Sequence, residues 1–246
     1  MRTKAALFGL LAALAGVGPA LAEFPDRPIR LMAPFAPGGN IDVTARIVAD
    51  KLKDVLGVTV LVENKAGASG MIGSDVVARA APDGYTLLVS ANGLVAAPAI
   101  YGNAPYDWRT AFQPISQIQS VPAVVVVTPS SPIKTFAEFI KAGIDMPGSL
   151  SVADSGAGTT NHVLTELMSA AAGAKYTLVQ DKGSGQATID VVAGQVPAMV
   201  DQVNSAIGHI KAGKLRPLAV TPDKRLAELT ARHPDRQGAR HQGRID

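Results

Sequence analysis

Short, uniformly apolar runs separated by stretches of helical period constrain this chain more than any other feature. The clearest run covers residues 121–128, and 29–34, 58–62, 85–90, 150–153, 176–179, 196–200 and 215–221 are of the same kind. Between them, apolar residues recur every three or four positions. In 41–56, Ala45, Val48, Ala49, Leu52 and Leu56 share one face, and Gly57 supplies a helix stop. Segments 71–80, 135–142, 161–172, 186–193 and 205–212 continue the rhythm. A strand that is apolar on both faces needs cover on both, and intervening helices provide it. The expectation is an α/β protein with parallel-type sheets and helices on both faces. Two βαβ-type halves meet near 113–128, which sets a first lobe over 23–124 and a second over 125–222.

The two ends break this rhythm. Arg2 and Lys4 precede an uncharged apolar run over 5–17, and Ala20-Leu21-Ala22 forms an A-x-A cleavage signal. This pattern reads as a secretory signal peptide cut after Ala22. The run is too short to span a bilayer, and Gly16, Gly18 and Pro19 weaken an anchor reading. From 230 to 246 the clearly apolar residues are Ala231, Ala239 and Ile245, so 223–246 is expected to be an atypical, disordered tail.

Charge follows the same division. The formal net charge is +3, yet residues 23–222 carry 15 Lys and Arg against 16 Asp and Glu. A nucleic-acid partner thereby loses its main support, and 4% aromatics argue against a base-stacking platform. The absence of cysteine excludes a disulfide framework, a thiol nucleophile and thiolate metal sites. Four scattered His argue against a metal cluster, and no cofactor is expected.

Reactive constellations are scarce. The chain has no G-x-S-x-G elbow, no H-E-x-x-H and no G-x-x-x-x-G-K. Gly156-Ala157-Gly158 begins like a dinucleotide loop, but Asn161 stands where its last glycine belongs. Ser155 and His162 are about two helical turns apart along the chain, and Ser or Thr at a helix entrance usually caps it.

What remains is a set of strand-to-helix turns rich in Gly and small polar residues. Gly38-Gly39-Asn40-Ile41-Asp42, Ala66-Gly67-Ala68-Ser69-Gly70 and Ser90-Ala91-Asn92-Gly93 lie in the first half. Asp154-Ser155-Gly156-Ala157-Gly158-Thr159-Thr160, Lys182-Gly183-Ser184-Gly185 and Asp201-Gln202-Val203-Asn204-Ser205 lie in the second. In open α/β sheets such turns gather at the carboxyl ends of the strands, where ligands bind. Glycine admits close backbone approach, and helix N-termini offer free N–H groups suited to carboxylates. Micromolar binding needs about 8 kcal/mol. Charge-assisted hydrogen bonds supply about 1.5–3 kcal/mol each, so four to six donors reach it after ordering costs. Any one turn read alone is ordinary helix capping. Their shared character favours binding.

These residues also carry a resemblance. Phe24-Pro25-Asp26-Arg27-Pro28-Ile29-Arg30 and Pro34-Phe35-Ala36-Pro37-Gly38-Gly39-Asn40-Ile41-Asp42 resemble the start of tripartite tricarboxylate transporter substrate-binding proteins, the Bug family. Val62-Glu63-Asn64-Lys65-Ala66-Gly67-Ala68, then 78–88, Lys182-Gly183-Ser184-Gly185 and 212–221 follow in family order, so the match covers about 24–221. The resemblance implies a two-lobed periplasmic binding protein-like fold (type II). It implies a periplasmic, monomeric protein, not an enzyme, that delivers a small carboxylated solute to membrane permease subunits. That solute is a di- or tricarboxylate, an acidic amino acid or an aromatic acid.

Carried over by position, Gly38, Gly39, Asn40 and Asp42 help hold the ligand carboxylate, with Ala68 and Ser69 in the neighbouring turn. Ser155, Gly156, Thr159 and Thr160 grip from the second lobe, and Asn92 and Asp201 orient ligand or water. Asp42 and Asp201 read equally well as structural partners.

Two departures stand out. Gln180-Asp181-Lys182 replaces the family's Pro-Tyr-Lys, so an acid stands where a ring lines the cleft. It either excludes an acidic ligand group or favours one bearing an amine. After 221 the family's return to the first lobe is missing, as a frameshift or premature stop would produce. A non-functional fragment is therefore the alternative expectation, and a secreted α/β hydrolase the more distant one.

Overall fold

The computed structural model describes residues 23–221. The leader expected at 1–22 and the atypical segment at 223–246 lie outside the described residues. Two sheets organise the chain. In the first, β1 (Ile29–Ala33), β2 (Val60–Asn64) and β3 (Thr86–Leu88) run parallel in the order β2-β1-β3. The chain between them forms α1 (Asn40–Leu56) and a 3₁₀ turn (Ala68–Gly70) leading into α2 (Met71–Ala78). A further helix, α3 (Gly93–Tyr101), follows β3. Ala45 and Ala49 of α1 are buried against Leu31 and Ala33 of β1 and Val89 beyond β3. Gly57 ends α1 in the left-handed region, its N–H bonded to the Lys53 carbonyl.

The second sheet has the order β6-β5-β7-β4-β8. Its strands are β4 (Ala123–Val127), β5 (Ser151–Asp154), β6 (Thr177–Gln180), β7 (Ala198–Gln202) and β8 (Arg216–Val220). Its helices are α4 (Phe136–Asp145), α5 (Thr160–Ala172), α6 (Ser184–Val192) and α7 (Val203–Lys211). The apolar run at β4 is explained by its place. Val124 and Val126 point into a cluster with Ala187, Val191, Ala206 and Ile210 of α6 and α7. Ala123, Val125 and Val127 point the other way, toward Phe139 of α4 and, further out, Leu164 and Met168 of α5. Full burial of a valine contributes about 1.5–3 kcal/mol, so this strand anchors both layers.

Strand direction corrects one expectation. β6, β5 and β7 are parallel, but β4 runs antiparallel to both β7 and β8. A strand apolar on both faces carries no direction in its pattern, so the sequence could not distinguish the two cases. Helix α3 was not expected either, since Pro98 lies inside it. Among the described residues no helix is long and apolar enough to cross a membrane.

Candidate functional site

Each turn at the carboxyl end of a strand is held from beneath. Behind β1, the Asp42 carboxylate accepts from the Gly38 N–H at 2.9 Å, Arg46 Nε at 3.0 Å and Asn64 Nδ2 at 2.9 Å. Asn64 also donates to the Phe35 carbonyl at 3.1 Å, so one network fixes both ends of the 34–39 turn. Burial of Asp42 disfavours its charge, but bonds from Arg46, Gly38 and Asn64 outweigh this and hold the carboxyl below its ordinary range. Behind β5, Thr159 caps α5 by accepting from the His162 N–H and donates to the Gly156 carbonyl at 2.7 Å. Ser155 Oγ lies 2.8 Å from Thr159 Oγ1. His162 Nδ1 accepts from the Gly158 N–H at 3.1 Å, so Ser155 and His162 do not pair as nucleophile and base.

The turns of the two sheets meet. The Ala36 N–H donates to the Lys182 carbonyl at 3.1 Å, and the Asn40 N–H to Ser184 Oγ at 3.3 Å. Asn204 Nδ2 donates to Asn40 Oδ1 at 2.7 Å. Asn92 donates to the Gly158 carbonyl and accepts from the Thr160 hydroxyl. Glycine permits this proximity: a Cβ on Gly185 would lie 2.1 Å from the Pro37 carbonyl oxygen, and one on Gly39 would lie 2.9 Å from the Gly185 nitrogen.

Two cavities remain between the turns. The smaller, about 30 Å³, is lined by Gly39, Asn40, Asn92, Ser155, Thr159 and Thr160, together with Phe35, Asn161, Ser184 and Gln202. That is room for a water or two. The larger, about 180 Å³, is lined by Phe35, the Gly67-Ala68-Ser69-Gly70 turn, Tyr101, Gly156 and Gln180-Asp181-Lys182. This one has space for a small solute. Its wall is unusual: Ala68 and Ser69 adopt φ of 45° and 53°, and Gly70 follows at 91°. Non-glycine residues in this region cost on the order of 1–3 kcal/mol each and concentrate at ligand sites. The turn closes on itself: the Gly70 N–H donates to the Gly67 carbonyl at 3.0 Å and the Met71 N–H to the Ala68 carbonyl.

The anticipated residues thus fall into three groups. Gly39, Asn40, Asn92, Ser155, Thr159 and Thr160 line the smaller cavity; Ala68, Ser69 and Gly156 line the larger. Gly38, Asp42 and Asp201 line neither. Asp201 is fully buried near the end of β7, accepting from Ser205 Oγ at 2.7 Å and from Thr188 and Asn161 at 3.3 Å each. Burial raises its pKa to about 6 against those bonds. Asp154, at the end of β5, is raised by burial to about 7, and its Oδ2 has no partner. The aromatic walls Phe35 and Tyr101 were not anticipated, since nothing in the chain's pattern distinguishes them from core residues. Gln202 and Ser184 sit in turns whose composition did mark them.

Two sheets whose facing turns enclose a small cavity define a protein of the two-lobed binding-protein class. The chain belongs to the tripartite tricarboxylate transporter receptor family, whose model matches residues 44–241 and so extends beyond the described part of the chain. It is 39% identical over 209 residues to a UPF0065 protein from the tcbD-tcbE intergenic region of a Pseudomonas species. That alignment covers 85% of this chain and 62% of the relative, so this chain spans less than two thirds of the relative's length. Its structure resembles periplasmic binding protein BugD, with 36% identity and a TM-score of 0.78 over 82% of this chain and 68% of BugD. An R. palustris protein solved with adipate is 34% identical with a TM-score of 0.79, covering 82% and 68% of the two chains. The fold is accordingly the type II periplasmic binding protein-like fold of this family.

Proposed function

We propose that the chain captures a small carboxylated solute in its larger cavity and presents it to the membrane permease subunits of a tripartite tricarboxylate-type transporter. The observation that carries this reading is the 180 Å³ cavity between the two sheets, walled on one side by the left-handed Ala68-Ser69-Gly70 turn. Gly67 and Gly70 in this turn let a carboxylate approach the backbone closely, and the helix α2 N-terminus immediately behind it adds a favourable dipole end. Adipate in the R. palustris relative, itself a dicarboxylate, is in keeping with that chemistry.

The protein acts as a monomer in the periplasm, exported by residues 1–22 and cut after Ala22, and it binds without turning its ligand over. It uses no cofactor and no nucleic acid. Calorimetric titration with mono-, di- and tricarboxylates tests the central claim: a saturable 1:1 isotherm for at least one of them is expected. Absence of heat from all of them, in a sample with a cooperative melt, would sink it. Export is checked separately by fractionating expressing cells and sequencing the periplasmic protein's N-terminus, expected at Glu23.

A further inference from the structure

The larger cavity is not uniformly receptive to anions. Besides the left-handed turn, it is lined by Gln180, Asp181 and Lys182, which follow one another at the end of β6. The Asp181 N–H is committed to the Asp154 carbonyl at 2.8 Å, which fixes the backbone here to the neighbouring strand end. Its carboxylate is a different matter. Oδ2 is buried and has no hydrogen-bond partner, and no Lys or Arg among the described residues lies within ion-pair distance of Asp181. Leaving such an oxygen unpaired carries a penalty that a neighbouring donor removes. The surroundings make matters worse, because burial and the like charge of Asp190 both push this carboxyl above its ordinary range. Asp154 on the adjacent strand has an unpartnered buried oxygen of its own, so no donor comes from that side.

A carboxylate in this position repels a second anionic group and attracts a cationic donor. The interaction is Coulombic, so its sign depends only on the charge of the ligand group that faces Asp181. Lys182, exposed beside it and lining the same cavity, gives this wall both signs at consecutive positions.

Resting on the reading that this cavity binds a carboxylate, we infer that Asp181 is a specificity-determining residue that selects a solute carrying an ammonium group besides its carboxylate. The ligand class is thus an amino carboxylate, an amino acid or its close analogue, in preference to a di- or tricarboxylate without nitrogen. The ammonium pairs with the Asp181 carboxylate at the cavity wall while the carboxylate faces the Ala68-Ser69-Gly70 turn.

The test uses pairs of compounds that differ only by an ammonium group, aspartate against succinate and glutamate against glutarate, titrated calorimetrically into the purified protein and into Asp181→Asn. In the unmodified protein the amino member of at least one pair is expected to bind about tenfold or more tighter, the effect of one charge-assisted hydrogen bond. In D181N that advantage falls to threefold or less, while affinity for the non-amino member stays the same or rises. Equal binding of both members of every pair by the unmodified protein overturns the inference but leaves the carboxylate reading intact, and so does an undiminished preference in D181N. Failure of all four compounds and of the wider carboxylate series overturns both. If D181N does not fold, Asp181→Ser, which removes the charge with a smaller side chain, is read in the same way.

Discussion

Three aspartates at strand-end turns show how one residue type takes different states from its surroundings. Asp42 is ionised because Arg46, Gly38 and Asn64 all donate to it, whereas Asp154 meets one satisfied oxygen and one orphan. The folded protein keeps Asp154 protonated up to about pH 7, while an unfolded aspartate releases its proton near 3.9. Between those values the native state binds more protons. Stability is therefore full at the acid end and declines as pH rises to about 7, by up to about 4 kcal/mol. Asp201, raised to about 6, adds to the same slope over a narrower window. Melting temperatures at pH 5 and pH 8 should differ markedly in the unmodified protein and much less in Asp154→Asn. Equal differences in the two would refute the assignment. Asp42→Ala, by contrast, leaves the Gly38 N–H and the Asn64 side chain without their acceptor, and should cost about 1–3 kcal/mol in denaturant unfolding at neutral pH. The sequence could not separate these roles, because a turn aspartate that caps and one that binds share the same position and spacing. Ser69, Thr159 and Asn92 were legible as cleft residues because small donors beside glycine have few other uses.

At the scale of elements, most of the chain was readable. Helix α1 ends where Gly57 predicts, and α4 starts at Thr135, whose hydroxyl accepts from the Glu138 N–H while Glu138 Oε2 accepts from the Thr135 N–H. What escaped was information held outside each segment: the direction of β4 and the persistence of α3 around Pro98 both depend on neighbours distant in sequence. The packing of α4 gives a direct check. Phe139 is fully buried and stacks on Tyr176 at 4.7 Å between ring centroids. Phe139→Ala should lower unfolding free energy by about 3–5 kcal/mol, measured in urea, and a loss below about 1 kcal/mol would contradict this packing.

The molecule as a whole depends on two sheets drawing close enough for backbone to touch backbone. Gly185 sits in the first turn of α6, facing the Pro37 carbonyl, and a backbone atom cannot swing aside as a side chain would. Alanine favours a helix over glycine by about 1 kcal/mol, so Gly185→Ala should not weaken α6 itself. It should instead hold the two lobes apart. The expected result is a melting temperature close to that of the unmodified protein and carboxylate binding weakened tenfold or more. Small-angle scattering should show a radius of gyration that ligand no longer reduces. Unimpaired binding would show that closure tolerates a methyl group there.

The reversed strand β4, set between β7 and the edge strand β8 of the second sheet, also sets a timetable for synthesis. The five residues Ala123–Val127 are buried on both faces, yet their partners in β7 begin only at Ala198 and those in β8 at Arg216. A ribosome adding about 5–20 residues per second reaches Ala198 several seconds after it has released Val127. For that interval the most apolar stretch of the described chain has no strand beside it. Long-range pairings of this kind slow folding and favour aggregation, so the yield of native protein should rise as synthesis is matched to available chaperone.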